Sequence, residues 1–234
     1  MLTFVPNLTL CVMLTLLFSL LALSVTPVGD SLTATERSLE RQGMVCVTDV
    51  DSTIRVSLMY SRADNFTGRV LYSDLNRAYL HPEAARALKR AQAILRRRRP
   101  DLSLAVYDAA RPMSVQQTMW DAVKNTPKYF YVSNPARGGG LHNYGLAVDV
   151  TLCDAASGDT LDMGTPIDHM GAAAHIDREA ALQAGGTLSA EAVRNRRLLR
   201  SVMREAGFKA LRTEWWHFNF KSRAEAKARY RVIR

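Results

Sequence analysis

Two stretches hold residue types that could do chemistry together. LHNYGLAVDV, Leu141 to Val150, sets His142 seven residues before Asp149. TEWWHF sets Glu214 three residues before His217, among Trp215, Trp216 and Phe218. Asp149 stands between Val148 and Val150 in an apolar run, where a lone carboxylate needs a partner because burying an unpaired charge is costly. A metal ion, an arginine or a strand-end hydrogen bond would each serve. His142, Asp149 and His217 with an open fourth position would make the donor set of a catalytic zinc site. Glu214 beside them would be the base for a metal-activated water, and its aromatic neighbours would raise its pKa towards that task. Spacing alone does not require this. Each histidine also reads as a hydrogen-bonded core or surface residue, and His142–Asp149 as a loop entering an ordinary strand. Residues i and i+3 of a flat strand face opposite sides, so Glu214 and His217 share a site only if the strand is distorted or they reach it by different paths. YDAARP leaves Arg111 at a strand end, where it would either stabilise a tetrahedral oxyanion or pair with Asp108.

The elements that must position these residues are legible in part. IRVSLMY (54–60), LSLAVYD (102–108), LAVDVTL (146–152) and EWWHFNF (214–220) read as strands from alternating or continuous apolar residues. HPEAARALKRAQAILRRRRP predicts a helix with Ala84, Leu88, Ala91 and Leu95 on one face, Pro82 in its first turn and Pro100 as its stop. SVQQTMWDAV predicts a second helix, opened by a Ser114–Gln117 capping box. SAEAVRNRRLLRSVMREAGF predicts a third, with an apolar stripe of Leu198, Leu199, Val202, Met203 and Ala206 and Gly207 as its cap. Residues 124–140 read as a long loop. Helices and strands mix without a βαβ rhythm, and no glycine-rich phosphate loop follows a strand, which points to α+β.

The 234 residues, 47% hydrophobic and 23% charged, suffice for one packed domain. The net charge of +9 favours anionic partners, but much of it lies in runs such as Arg96–Arg99 that suit a solvated helix end. No basic motif is interleaved with aromatics, so nucleic acid is not expected as a partner. Residues 8–28 are nearly free of charge and read as a secretory signal or membrane anchor, which places the remainder outside the cytoplasm. Residues 29–43 read as a linker, 44–222 as the domain and 223–234 as a basic tail. Cys11 lies in the leader, and Cys46 and Cys153 read equally as one disulfide or two buried thiols.

MYSRADNFTG, YLHPEAA, YDAARP, HNYGLAVDVTL, DMGTPIDHM, NRRLLRSVMREAGF and EWWHF follow one another in this chain. In that order they resemble the D-alanyl-D-alanine dipeptidases, the vancomycin-resistance-type zinc enzymes, over about Val45 to Phe220. The resemblance implies a single zinc-peptidase domain with a mainly antiparallel central sheet flanked by helices. It implies one zinc ion per chain on His142, Asp149 and His217, with Glu214 as base and Arg111 stabilising the intermediate. It further implies Asp168 as anchor for the substrate's free amino group and Tyr60 as a wall of the substrate pocket. The expected activity is hydrolysis of the D-alanyl-D-alanine dipeptide in cell-wall peptide turnover. The alternative is a D,D-carboxypeptidase acting on peptidoglycan stem peptides, and a third reading is a non-catalytic wall-binding module, against which Glu214 speaks.

Two departures bear on the substrate. The family usually has a hydroxyl residue, used towards the substrate carboxylate, where this chain has Gly140, and often a serine where this chain has Asn143. Both put the preference for D-Ala-D-Ala, though not the zinc set, in question.

Overall fold

The computed structural model describes residues 1–2 and 32–234. The apolar run at 8–28, with Cys11, lies outside the described residues. In chain order the elements are α1 (Ala34–Arg41), β1 (Val45–Cys46), α2 (Val47–Val50), β2 (Arg55–Val56), β3 (Tyr79–Leu80), α3 (Pro82–Arg98), β4 (Leu102–Asp108), α4 (Met113–Val123), β5 (Ala147–Asp154), α5 (Glu179–Ala184), α6 (Ala190–Glu205), β6 (Lys209–Leu211), β7 (Glu214–Asn219) and α7 (Arg223–Arg229). Five strands form the central sheet in the order β2–β4–β5–β7–β6, with β2 parallel to β4 and every other pair antiparallel. β1 and β3 form a separate antiparallel pair. The architecture is α+β with a mainly antiparallel sheet flanked by helices.

The central strands are apolar because both faces are covered. Every residue of β4 except Tyr107 and every residue of β5 except Asp154 is buried. α3 lays Ala84, Leu88, Ala91 and Leu95 into the core, and α6 contributes Leu199, Val202 and Met203. Gly207, at φ +102°, then takes the left-handed conformation that closes α6.

Four expectations change. The segment 29–43 is not a plain linker. Thr33 and Glu36 form a capping box that starts α1, and Leu39 is buried in the core. The pattern Thr33-x-x-Glu36 is itself the local signal for that helix start. The basic segment 223–234 is likewise tied down. Ala226 and Ile233 are buried, Ile233 N–H donates to Asn143 O, and Met113 N–H donates to Ile233 O. The Ser114–Gln117 capping box does not form, because α4 starts at Met113 with Pro112 as its cap and leaves Ser114 inside the first turn. Finally, the strand expected over 54–60 shortens to Arg55–Val56, and a 3-10 turn at Met59–Ser61 buries Tyr60. Cys46 and Cys153 are both buried and free.

Candidate metal centre and substrate pocket

Strand register sets the floor of the site. Asp149 pairs with Asp108 of β4 on one side and with His217 of β7 on the other. A register shift between Val106 and Asp108 brings Asp108 opposite Asp149, as a bulge re-aims a side chain. β7 is distorted against β6. Leu211 pairs with Glu214 while Ala210 already pairs with Phe218, so 215–217 bulge out of the ladder. That distortion resolves the i, i+3 problem, and Glu214 Oε2 lies 3.9 Å from His217 Nδ1.

His142 arrives on a 3-10 turn, Leu141–Tyr144, that follows Gly138 and Gly139 and ends at Gly145. Gly139 is required twice over. Its φ is +64°, and a β-carbon there would sit 2.3 Å from Asn143 Oδ1. Asn143 is fully buried, accepts from Gly140 N–H at 2.8 Å and donates to Arg111 O at 2.8 Å. It therefore braces the histidine turn and does not face the cavity, which removes it as a determinant of substrate preference.

The three donor atoms meet. His142 Nε2, His217 Nδ1 and Asp149 Oδ1 are separated by 3.0–3.4 Å, and among the described residues these three make a group of potential ligands all within 4.8 Å. The second nitrogen of each ring fixes what the first can offer. His142 Nδ1 donates to Ala109 O at 2.8 Å, and His217 Nε2 donates to Asn219 Oδ1 at 2.8 Å. Two imidazole lone pairs and a carboxylate oxygen thus face one another, an arrangement that repels unless a cation lies among them. The donor chemistry suits a divalent metal held by nitrogen and oxygen.

The profile of a peptidase family described as D-ala-D-ala dipeptidase matches residues 40–232. The chain belongs to this family of metallopeptidases. It is 36% identical over 171 residues to the D-alanyl-D-alanine dipeptidase of Escherichia coli K12, covering 73% of this chain and 81% of that one. It is 31% identical over 180 residues to the enzyme of that name from Enterococcus faecalis, covering 70% and 85%. For the one from Enterococcus faecium the figures are 28% over 191 residues, 75% and 90%.

In this dipeptidase-family chain the remaining predicted residues line the same cavity of about 430 Å³: Tyr60, Arg111, Asp168 and Glu214 border it together with His142, Asp149 and His217. Arg111 donates through Nε and Nη2 to Asp108 and through Nη1 to Gln116 Oε1, and its Nη2 is 4.0 Å from Asp149. Its pairing with Asp108 and its place at the cavity are therefore compatible. The buried arginine offsets the charge of Asp108, lies close to Asp149 and keeps N–H groups at the site. Asp168 has φ +65°, and it is the one non-glycine residue with positive φ among the described residues. Strain of this kind persists where the surroundings enforce it, often at functional sites. Tyr60 Oη lies 3.0 Å from both Asp168 oxygens.

The carboxylates differ in acidity. Burial alone would raise Asp149, but His142 and His217 outweigh it and hold Asp149 below the usual carboxylate range. Burial pushes Glu214 up to about 7, opposed by His217 and helped by the charges of Asp149 and Asp168. Enclosure, with the charge of Asp149, pushes Asp168 up to about 7 as well.

Further residues support the site beyond those whose spacing points to chemistry. Asp108 is completely buried, accepts from Tyr72 Oη at 2.5 Å and lies 3.6 Å from His142 Nδ1. Arg196 anchors the loop that carries Asp168. Its guanidinium donates to Met163 O, Ala173 O and Thr165 Oγ1 and stacks 5.4 Å from the Trp215 ring. Tyr131 borders the cavity with its hydroxyl 3.0 Å from His175 Nε2. Arg196 is signalled in the sequence by its place in phase with the apolar stripe of its helix, and Asp108 by its place three residues before Arg111; Tyr131 shows no signal.

Proposed function

We propose that this chain hydrolyses the D-alanyl-D-alanine dipeptide with one zinc ion held by His142, Asp149 and His217. The observation that carries this reading is the convergence of three lone-pair donors beside Glu214, with the Asp168 carboxylate in the same cavity. The family description and the names of the relatives support the substrate. When bound, zinc supplies Lewis acidity at the scissile carbonyl and makes the attacking water acidic enough to lose a proton near neutrality.

The chain's own residues supply the rest. The Asp168 carboxylate, steadied by Tyr60 Oη, takes the substrate's ammonium group, and that ammonium in turn favours ionisation of Asp168. Glu214, whose carboxyl is raised by burial in the metal-free chain, is the group beside the three donors that can take a proton from water and return it to the leaving amine. Arg111, immobilised by Asp108 and Gln116, directs its remaining N–H groups at the negative charge that develops on the carbonyl oxygen. Asp168 also disfavours the carboxypeptidase alternative, because a stem peptide would bring an acylated nitrogen to an unpaired carboxylate. The charge-poor run at 8–28 supports work outside the cytoplasm, on dipeptide released from the wall, with the run cleaved or retained as an anchor.

The test is hydrolysis of D-Ala-D-Ala by the purified full chain, with metal analysis, a chelator and Glu214→Ala as controls. Activity of about one-zinc protein that both controls abolish is the expected result. Zinc binding with no hydrolysis of any dipeptide, free or acylated, would leave the metal centre and remove the activity.

A further inference from the structure

One wall of the cavity is a run of side chains in contact. Asp168 accepts from Tyr60, and the Arg111 guanidinium lies 5.2 Å from the centre of the Tyr60 ring. Arg111 Nη1 donates to Gln116 Oε1 at 3.0 Å, and Gln116 Nε2 donates to the backbone oxygen of Ser133 at 2.8 Å. Gln116 is buried, so Ser133 is placed by a side chain with little freedom. Ser133 borders the cavity, and its hydroxyl makes no hydrogen bond within the protein among the described residues.

That hydroxyl fills the space Gly140 leaves. A β-carbon on Gly140 would lie 3.0 Å from Ser133 Oγ and 3.3 Å from Ser133 Cβ. The backbone does not need glycine there, since φ is −104° and ψ −176°, values open to any residue. What glycine provides is room for the serine side chain.

The order of groups along the wall matches the order of charge along an unblocked dipeptide. The amine belongs at Asp168 and the carbonyl at Arg111; Gln116 is engaged by Arg111 and by the Ser133 backbone, so the next group along this wall without a partner in the protein, among the described residues, is the Ser133 hydroxyl. We propose that Ser133 donates its hydroxyl proton to the free carboxylate of the substrate and makes this enzyme selective for a free C-terminus. This rests on the dipeptidase reading above. It assigns to Ser133, from a different loop position, the hydroxyl function that Gly140 lacks.

The experiment compares wild type and Ser133→Ala, as zinc-loaded full chains, on D-Ala-D-Ala and on its C-terminal amide. A single hydrogen bond to a charged group predicts a KM for the dipeptide about 10- to 100-fold higher in the variant, with kcat within about twofold. The amide, whose neutral carbonyl accepts a weaker hydrogen bond than a carboxylate, should lose much less than the dipeptide, and its cleavage reports in the same samples that the variant is folded. Equal losses on dipeptide and amide, or no change on either, would overturn the assignment while leaving the dipeptidase reading intact. A wild type inactive on every dipeptide would instead sink that reading, and the assignment with it.

Discussion

Asp149 and Asp168 border one cavity, yet the fold treats them differently. Asp149 stands mid-strand in β5, with hydrogen-bonded strands on both sides, and two histidines hold its carboxyl ionised. Asp168 sits in the loop between β5 and α5 with its backbone at φ +65°, and its carboxyl is pushed up to about 7. The floor of the site is fixed by strand register, and a one-residue slip would turn its side chains to the opposite face. The wall is fixed by side chains, chiefly Tyr60 and Arg196, acting on irregular backbone. In the proposed function, two of the three metal donors and the proton-transfer residue sit on the strands, and the groups for the substrate's ends sit on irregular backbone.

Breaking the floor should cost most. Glu214→Ala should lower kcat about 10³- to 10⁴-fold while the chain still binds one zinc; loss of the metal as well, seen by metal analysis, would mean that Glu214 helps hold it. Asp108→Asn should reduce activity about 10- to 100-fold, the usual effect of a group that orients a metal-site residue, because it loosens Arg111 and removes a charge 3.6 Å from His142 Nδ1. An unchanged kcat/KM would show that Arg111 is positioned by Gln116 alone. Breaking the wall should change selectivity more than turnover. Asp168→Asn should cost about tenfold or more in kcat/KM on D-Ala-D-Ala and little on the N-acetylated dipeptide, so equal losses on both would argue against an amine anchor.

The raised pKa values make a signed prediction for the metal-free chain. Glu214 and Asp168 keep protons when folded that they have already lost when unfolded, where their pKa values are ordinary, about 4. Their contribution is complete below about pH 4 and is lost as pH rises to about 7. Asp149 contributes with the opposite sign only below the ordinary carboxylate range. Thermal melts in chelator should therefore fall by a few degrees from pH 5 to pH 8, and Asp168→Asn should flatten the slope; a melting point that rises over that window contradicts the desolvation picture. The smallest effect belongs to Tyr131→Phe. It removes one hydrogen bond to His175, worth about 0.5–1.5 kcal/mol, and a change in kcat/KM beyond about tenfold would give Tyr131 a direct role.

The sequence carries the floor more clearly than the wall. The strands 102–108 and 146–152 and the helices α3 and α6 follow from apolar period, and the donor types of His142, Asp149, Glu214 and His217 stand out in their apolar or aromatic setting. Asp168 and Tyr60 were reached through family resemblance, because no local pattern connects a loop aspartate to a tyrosine 108 positions away. The bulge in β7 was legible only as a need, since the i, i+3 spacing requires a distortion without locating it. The start of α1 is written in the Thr33 and Glu36 capping box, but its polar composition resembles that of a linker. The role of 223–234 was hidden by composition. Most of its charges are exposed, while its two buried residues, Ala226 and Ile233, are too few to form a pattern.

That C-terminal segment has a consequence for assembly. Ile233 N–H bonds the carbonyl of Asn143, the residue next to the first histidine, so the turn presenting His142 is completed by backbone made long after it. A growing chain can form α3 and pair β4 with β5 well before β7 and residues 223–234 exist. Unlike small zinc modules whose folding the metal drives, this chain has the sequence for most of its scaffold before His217, the third donor of the candidate metal centre, is made.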